Sequence, residues 1–199
     1  MTLFSAQRAV ARTISALFSP PLAAGGMSIL LISRIPAPLV HRVGWLCICL
    51  VFATCVPVLY VGFLVASGKV DGYYIAVRSR RLIPLLASSA SCLAGFILLR
   101  VADAPPALSA FLLSYVVLGL LAAAANTRWK ISLHGAGVFG PLAMLHHLIG
   151  PSALFWLPVP LAVSWARMVL GAHSLPEVVA GCGIGFLVVW VVVALYAAA

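Results

Sequence analysis

VGWLCICLVFATCVPVLYVGFLVA, Val43–Ala66, carries no charged side chain anywhere along its length. A helix needs about 20 consecutive apolar residues to cross the hydrocarbon layer of a bilayer, and this stretch exceeds that requirement. The remainder of the chain has the same character. Of its 199 residues 64% are hydrophobic and 8% charged, with a mean hydropathy of +1.20. Ordinary soluble domains carry roughly 25% charged residues, so a soluble fold of this composition could not cover its surface. The sequence describes an integral membrane protein.

Working outward from Val43–Ala66, further apolar stretches follow at Leu82–Leu99, Pro106–Ala125, Gly135–Ile149, Ser152–Val163 and Val178–Ala198. An earlier one, Thr13–Ser33, is interrupted by Pro20-Pro21 and Gly25-Gly26. A proline pair breaks an ordinary helix, so this segment reads as a surface helix followed by a short span. Arg8 and Arg12 ahead of it give a likeness to a signal peptide, which we expect to be retained because no small-residue cleavage site stands out. The expected fold is therefore all-α: a polytopic transmembrane bundle of six or seven segments forming one domain over 1–199.

Twelve Lys and Arg face three acids, Asp71, Asp103 and Glu177, for a net charge of +9. The basic residues lie in short loops between apolar spans, the usual membrane arrangement, so anionic head groups and phosphates are expected as partners, and nucleic acid is not. Mg²⁺-dependent phosphate chemistry needs clustered carboxylates, and these three acids are far apart in sequence, so no metal or other cofactor is expected. The five cysteines all sit in apolar stretches, as small hydrophobes do.

The polar residues gather in three places: Lys69–Arg81 (KVDGYYIAVRSRR), Arg128–His134 (RWKISLH) and Trp165–Glu177 (WARMVLGAHSLPE). Two apolar stretches separate each cluster from the next, and an even number of crossings returns a chain to the same membrane face. All three clusters are therefore expected at one aqueous face. Arg78, Arg80, Arg81, Arg128, Lys130 and Arg167 supply cations there, and guanidinium groups grip phosphate in a two-pronged fork. His134 and His173 supply a nucleophile and a general acid, since imidazole titrates near neutral pH. Lys69, Arg80 and Arg128 are equally explained as anchors at span ends. His41, His146 and His147 lack convergent partners and read as structural.

Ser174-Leu-Pro-Glu177 has the pattern of a capping box with proline in the first turn. It places His173 just before a helix N-terminus, where backbone N–H groups favour an anion. The spacing leaves open whether Glu177 caps that helix, orients His173, or does both.

These clusters resemble the motifs of the type 2 phosphatidic acid phosphatase superfamily, the membrane lipid phosphatases related to vanadium haloperoxidases. The family's third motif, Ser-Arg, five residues, His, three residues, Asp, is matched by Ala166-Arg167, His173 and Glu177. The second, Pro-Ser-Gly-His, is matched by Ile131-Ser132-Leu133-His134, and the first, Lys, six residues, Arg-Pro, only loosely by Arg78–Arg81 with Pro84 beyond. The likeness runs from about Asp71 to Gly185 and is most specific in the third motif; the motif versions are similar to those of small bacterial members. It implies that His173 attacks phosphorus to form a phosphohistidine, that Glu177 orients it, and that His134 protonates the leaving group. Arg167, Ser132, Arg78 and Arg81 would then hold phosphate oxygens, the choice among Arg78, Arg80 and Arg81 staying open, with Lys130 standing in for the first-motif lysine. The implied activity is metal-independent hydrolysis of a lipid phosphomonoester or diphosphate, of phosphatidate, phosphatidylglycerophosphate or polyprenyl phosphate type, in a bacterial cytoplasmic membrane. The alternatives are an idle member that binds or moves anionic lipids, and a phosphotransferase using the same intermediate. Two departures stand out: Glu177 where the family has Asp, and Leu133 where it has Gly.

Overall fold

The computed structural model describes residues 3–197, which are helical with no strand among them. The helices are α1 (Leu3–Leu17), α2 (Pro20–Ser33), α3 (Leu39–Leu50), α4 (Val56–Ala66), α5 (Leu82–Val101), α6 (Pro106–Asn126), α7 (Leu133–Ile149), α8 (Pro158–Val169) and α9 (Leu175–Ala197).

α3 and α4 form one rod, Leu39–Ala66, joined by a π-helical turn at Val51–Cys55. Pro57 has no amide hydrogen to give the preceding turn. The Val56 N–H bonds Val51 O instead of the carbonyl four residues back. That frees Phe52 O, which accepts the Ser91 hydroxyl of α5 at 2.7 Å. A backbone group at membrane depth must find such a partner, because hydrocarbon offers none.

Five helical segments are long and apolar enough to cross a membrane: Leu39–Ala66, Arg78–Val101, Pro106–Asn126, Leu133–Trp156 and Leu175–Tyr196. Counting the pair α1 and α2, bent by 50° at Pro20-Pro21, as one span makes six. Ser152–Val163, expected as a span, is too short to count among these, although it returns the chain to the end where both α7 and α9 start. Gly150, at φ +60°, ends α7, and Gly150–Trp156 is 3₁₀-helical. α8 then starts at Pro158 and has only 12 residues, about 18 Å of rise. Pro151, Pro158 and Pro160 each remove an amide donor from a stretch whose composition alone would permit a span.

Most spans are apolar on every side, as in a bundle facing lipid rather than water. Leu59, Phe63, Ile83 and Leu195 point outward and are exposed, while Leu99, Leu108, Phe111, Leu112, Met144 and Val189 fill a core among α5, α6, α7 and α9.

The packing of α7 on α9 sets up the site. A Cβ on Gly181 would lie directly against Ser132 O, and one on Gly185 against Ala136 O. Gly135 and Gly140 face α9 the same way, against Cys182 and Val189. Small residues four apart let two membrane helices approach to backbone contact, which brings the start of α7 beside the start of α9. α1 packs along α8 at the same end.

Candidate active site

Ser132 precedes α7, and its hydroxyl accepts the Gly135 N–H at 3.2 Å, the pattern of a helix N-cap. Its own N–H donates to Glu177 O at 3.0 Å, fastening the second polar cluster to the third. Lys130 Nζ adds a tie, donating to Ala172 O at 2.9 Å. His134, one residue inside α7, and His173, two residues before α9, are thereby held at the same end of the bundle.

Glu177 makes both contacts that its sequence position left open. One carboxylate oxygen, Oε2, accepts the Ser174 N–H at 3.1 Å and pairs with His173 Nδ1 at 2.9 Å. An ionised carboxylate can only accept, so the proton lies on Nδ1 and Nε2 carries the lone pair. Burial pushes the His173 pKa down to about 4; the Glu177 hydrogen bond opposes this, and the charges of Lys130, Arg81 and Arg167 add to it. His173 is therefore a neutral imidazole at pH 7 with a free nucleophilic nitrogen.

Arg81 follows a loop that its own cluster orders. Asp71 Oδ2 accepts the Ala76 N–H at 2.6 Å, which also holds the Asp71 carboxyl below its ordinary range. Ile75 O takes the Arg81 Nε–H at 2.7 Å. Arg167 lies in the last turn of α8, with Nη1 donating to Ser15 Oγ of α1 at 2.8 Å and its guanidinium 5.1 Å from the Tyr74 ring centre. The Tyr74 ring meets His134 edge-on at 5.0 Å.

Arg81, His134, Arg167 and His173 are 3–8% exposed and line one cavity of about 340 Å³. Its other walls are mostly apolar, including Pro20, Pro57, Val58, Val61 and Leu85, with Ser19, Ser88, Tyr73 and Tyr74 among them. Pro20, Pro21, Pro57, Leu85, Ser88 and Leu133 are shared with a second cavity of about 170 Å³, which reaches Cys92 and Tyr115 between the spans. His134 Nε2 and Arg167 Nε are buried without a hydrogen-bond partner among the described residues. Most buried polar atoms are paired, and an unpaired one is costly.

The remaining expected residues take other places. Arg78 and Arg80 are exposed, and Arg78 contributes its carbonyl, which accepts from Asn126 Nδ2 at 2.9 Å. Of the three arginines of the first cluster, Arg81 is the one on the cavity wall. Ser132 is fully buried, with its hydroxyl spent on the cap rather than on the wall. Lys130 is half-buried behind the His173 loop; burial and the neighbouring Arg81 lower its pKa. Glu177 stands behind His173. No three His, Cys, Asp or Glu side chains form a metal-ligating group among the described residues.

Sequence reasoning missed Ser15 and Tyr74. Tyr74 lies within the first polar cluster, where aromatic residues among arginines were a usable signal. Ser15 offered none, being one serine in an N-terminal helix far from Arg167 in sequence. The chain matches no family model, no curated protein and no solved structure.

Proposed function

We propose that this chain is a membrane lipid-phosphate phosphatase of the type 2 phosphatidic acid phosphatase kind, working without a metal through a phosphohistidine. The observation that carries the reading is the His173–Glu177 pair at 2.9 Å, set on a cavity wall with Arg81, Arg167 and His134. A neutral histidine whose Nδ1–H is held by a carboxylate is an activated nucleophile.

In the first step His173 Nε2 attacks phosphorus, an N–P bond forms and the ester P–O bond breaks. The leaving alkoxide takes the proton that the phosphate monoanion brings in, relayed through His134. In the second step water attacks the phosphohistidine, its proton goes to His134, and the N–P bond breaks to restore His173. Arg81 and Arg167 stabilise the charge on the equatorial oxygens, which counts for more in a buried site than in water. Glu177 stays ionised and keeps the Nδ1 proton in place throughout.

The apolar walls favour a lipid over a soluble phosphate ester. The second cavity continues the first toward Tyr115 and gives an acyl or prenyl chain a path between the spans while its phosphate meets the arginines. In this reading α1 and α2 form one bent segment, α8 carries the chain back to the face where α7 and α9 start, and the site opens at one face of a bacterial cytoplasmic membrane.

The test is purified protein in detergent with phosphatidate, phosphatidylglycerophosphate or a polyprenyl phosphate, with chelator present. Phosphate release from at least one of them, abolished in His173→Ala, is the expected result. No release from any, with wild type equal to His173→Ala, would refute the reading.

A further inference from the structure

Arg167 is held by two residues outside the Arg–His–Glu spacing of its own cluster. α1 turns Ala11 and Ser15, four residues apart and both fully buried, toward the bundle, while Arg8, Arg12 and Thr13 are exposed. Residues i and i+4 share a helix face, and the small Ala11 lets α1 lie close on α8. Ser15 Oγ then accepts from Arg167 Nη1 at 2.8 Å. The Tyr74 ring lies over the guanidinium, 5.1 Å from its centre, and braces His134 through a 5.0 Å edge contact.

A guanidinium has two ways to present a fork, through its two terminal nitrogens or through Nε and the adjacent Nη2. Ser15 takes one of the two Nη1 hydrogens, which fixes the plane and direction of the guanidinium. Arg167 Nε is buried with no partner among the described residues. Resting on the phosphatase reading, we infer that Ser15 and Tyr74 are positioning residues. They hold the Arg167 guanidinium at the cavity wall, set to donate to a phosphate. α1 thereby belongs to the phosphate site and does more than anchor the chain at the membrane surface. A planar fork held before binding loses less freedom when phosphate arrives.

The experiment compares Ser15→Ala, Ser15→Thr, Tyr74→Leu and Tyr74→Phe in the full-length protein in detergent. Lipid-phosphate kinetics are read beside the affinity for orthovanadate, which needs no turnover. Ser15→Ala should weaken vanadate binding and kcat/KM by about 10- to 100-fold, the worth of one hydrogen bond to a charged group, and Tyr74→Leu by about 2- to 30-fold, the worth of a cation–π contact. Ser15→Thr keeps the hydroxyl and Tyr74→Phe keeps the ring, so each should recover most of that loss. In an Arg167→Lys background, Ser15→Ala should add little further loss of vanadate affinity, because residues acting through one another are not additive. Equal affinity in wild type and Ser15→Ala, or a full additional loss on top of Arg167→Lys, would overturn the inference while leaving the phosphatase reading standing. A wild type that neither binds vanadate nor releases phosphate would instead overturn the phosphatase reading.

Discussion

Shortening Glu177 to Asp tests the site most sharply, because the resembled family carries Asp at this position. Here Oε2 is 2.9 Å from His173 Nδ1 and 3.1 Å from the Ser174 nitrogen, both good hydrogen-bond lengths. Removing one methylene withdraws the carboxylate by about 1.5 Å, one C–C bond. With the start of α9 held by the Ser132–Glu177 backbone bond, the contact to Nδ1 opens to about 4 Å, beyond hydrogen-bond range. The imidazole then loses its orientation and its fixed tautomer. A misplacement of about 1 Å at a reacting group costs on the order of a hundredfold in rate, or about 2.7 kcal/mol of barrier. Glu177→Gln separates the two roles of this residue. Its amide oxygen can still cap Ser174, as Gln does in capping boxes, so the melting temperature should hold. Losing the negative charge behind the histidine should still reduce kcat by roughly 10²- to 10⁴-fold, by analogy with the serine-protease triad. Single-turnover phosphate release beside thermal melts would measure both effects. Glu177→Asp with the wild-type rate would refute the reasoning, since it would mean the backbone, rather than the side-chain length, sets the pair.

His173 should titrate near pH 4 rather than 6.5, since burial holds its pKa down; with a folded pKa below the unfolded one, its neutral reactive form persists above about 4 and disappears as pH falls through that value. NMR of the histidine ring protons, lost selectively in His173→Ala, would follow this directly. Among the first-cluster arginines, Arg81→Ala should lower kcat/KM by about 10²- to 10³-fold, as loss of one charge-stabilising donor does, whereas the exposed Arg78→Ala should stay within about threefold in the same phosphate-release assay. Gly181→Val places side-chain atoms against Ser132 O, so it should push α7 from α9 and destabilise the fold by roughly 1–3 kcal/mol, the usual range for overpacking, with a lower melting temperature and loss of activity together.

The membrane character, the helical class and the break at Pro20-Pro21 were legible in the residues, because an uncharged run such as Val43–Ala66 has no other stable environment. The Arg167–His173–Glu177 spacing was legible for a similar reason. All three groups fall within one short segment, so local geometry limits where they can be. The stretch Ser152–Val163 reads as a span from its hydropathy, and the helix it forms, α8, is shorter than an ordinary span because it begins only at Pro158. The choice of Arg81 over Arg78 and Arg80 depended on which way a 3₁₀ turn faces, and no periodicity reports that over so few residues. Ser132 was spent on a cap, a role its neighbours in sequence allowed but did not require. Ser15 and Tyr74 belonged wholly to tertiary structure, since their contacts join α1 and the Tyr74 loop to α8 and α7. What the sequence determined alone was the apolar solvent this protein suits and the residues of its three polar clusters. Only the close approach of α7 and α9 at Gly181 and Gly185 decided that His134 and His173 share a cavity, because a contact between distant segments depends on how closely their backbones can meet.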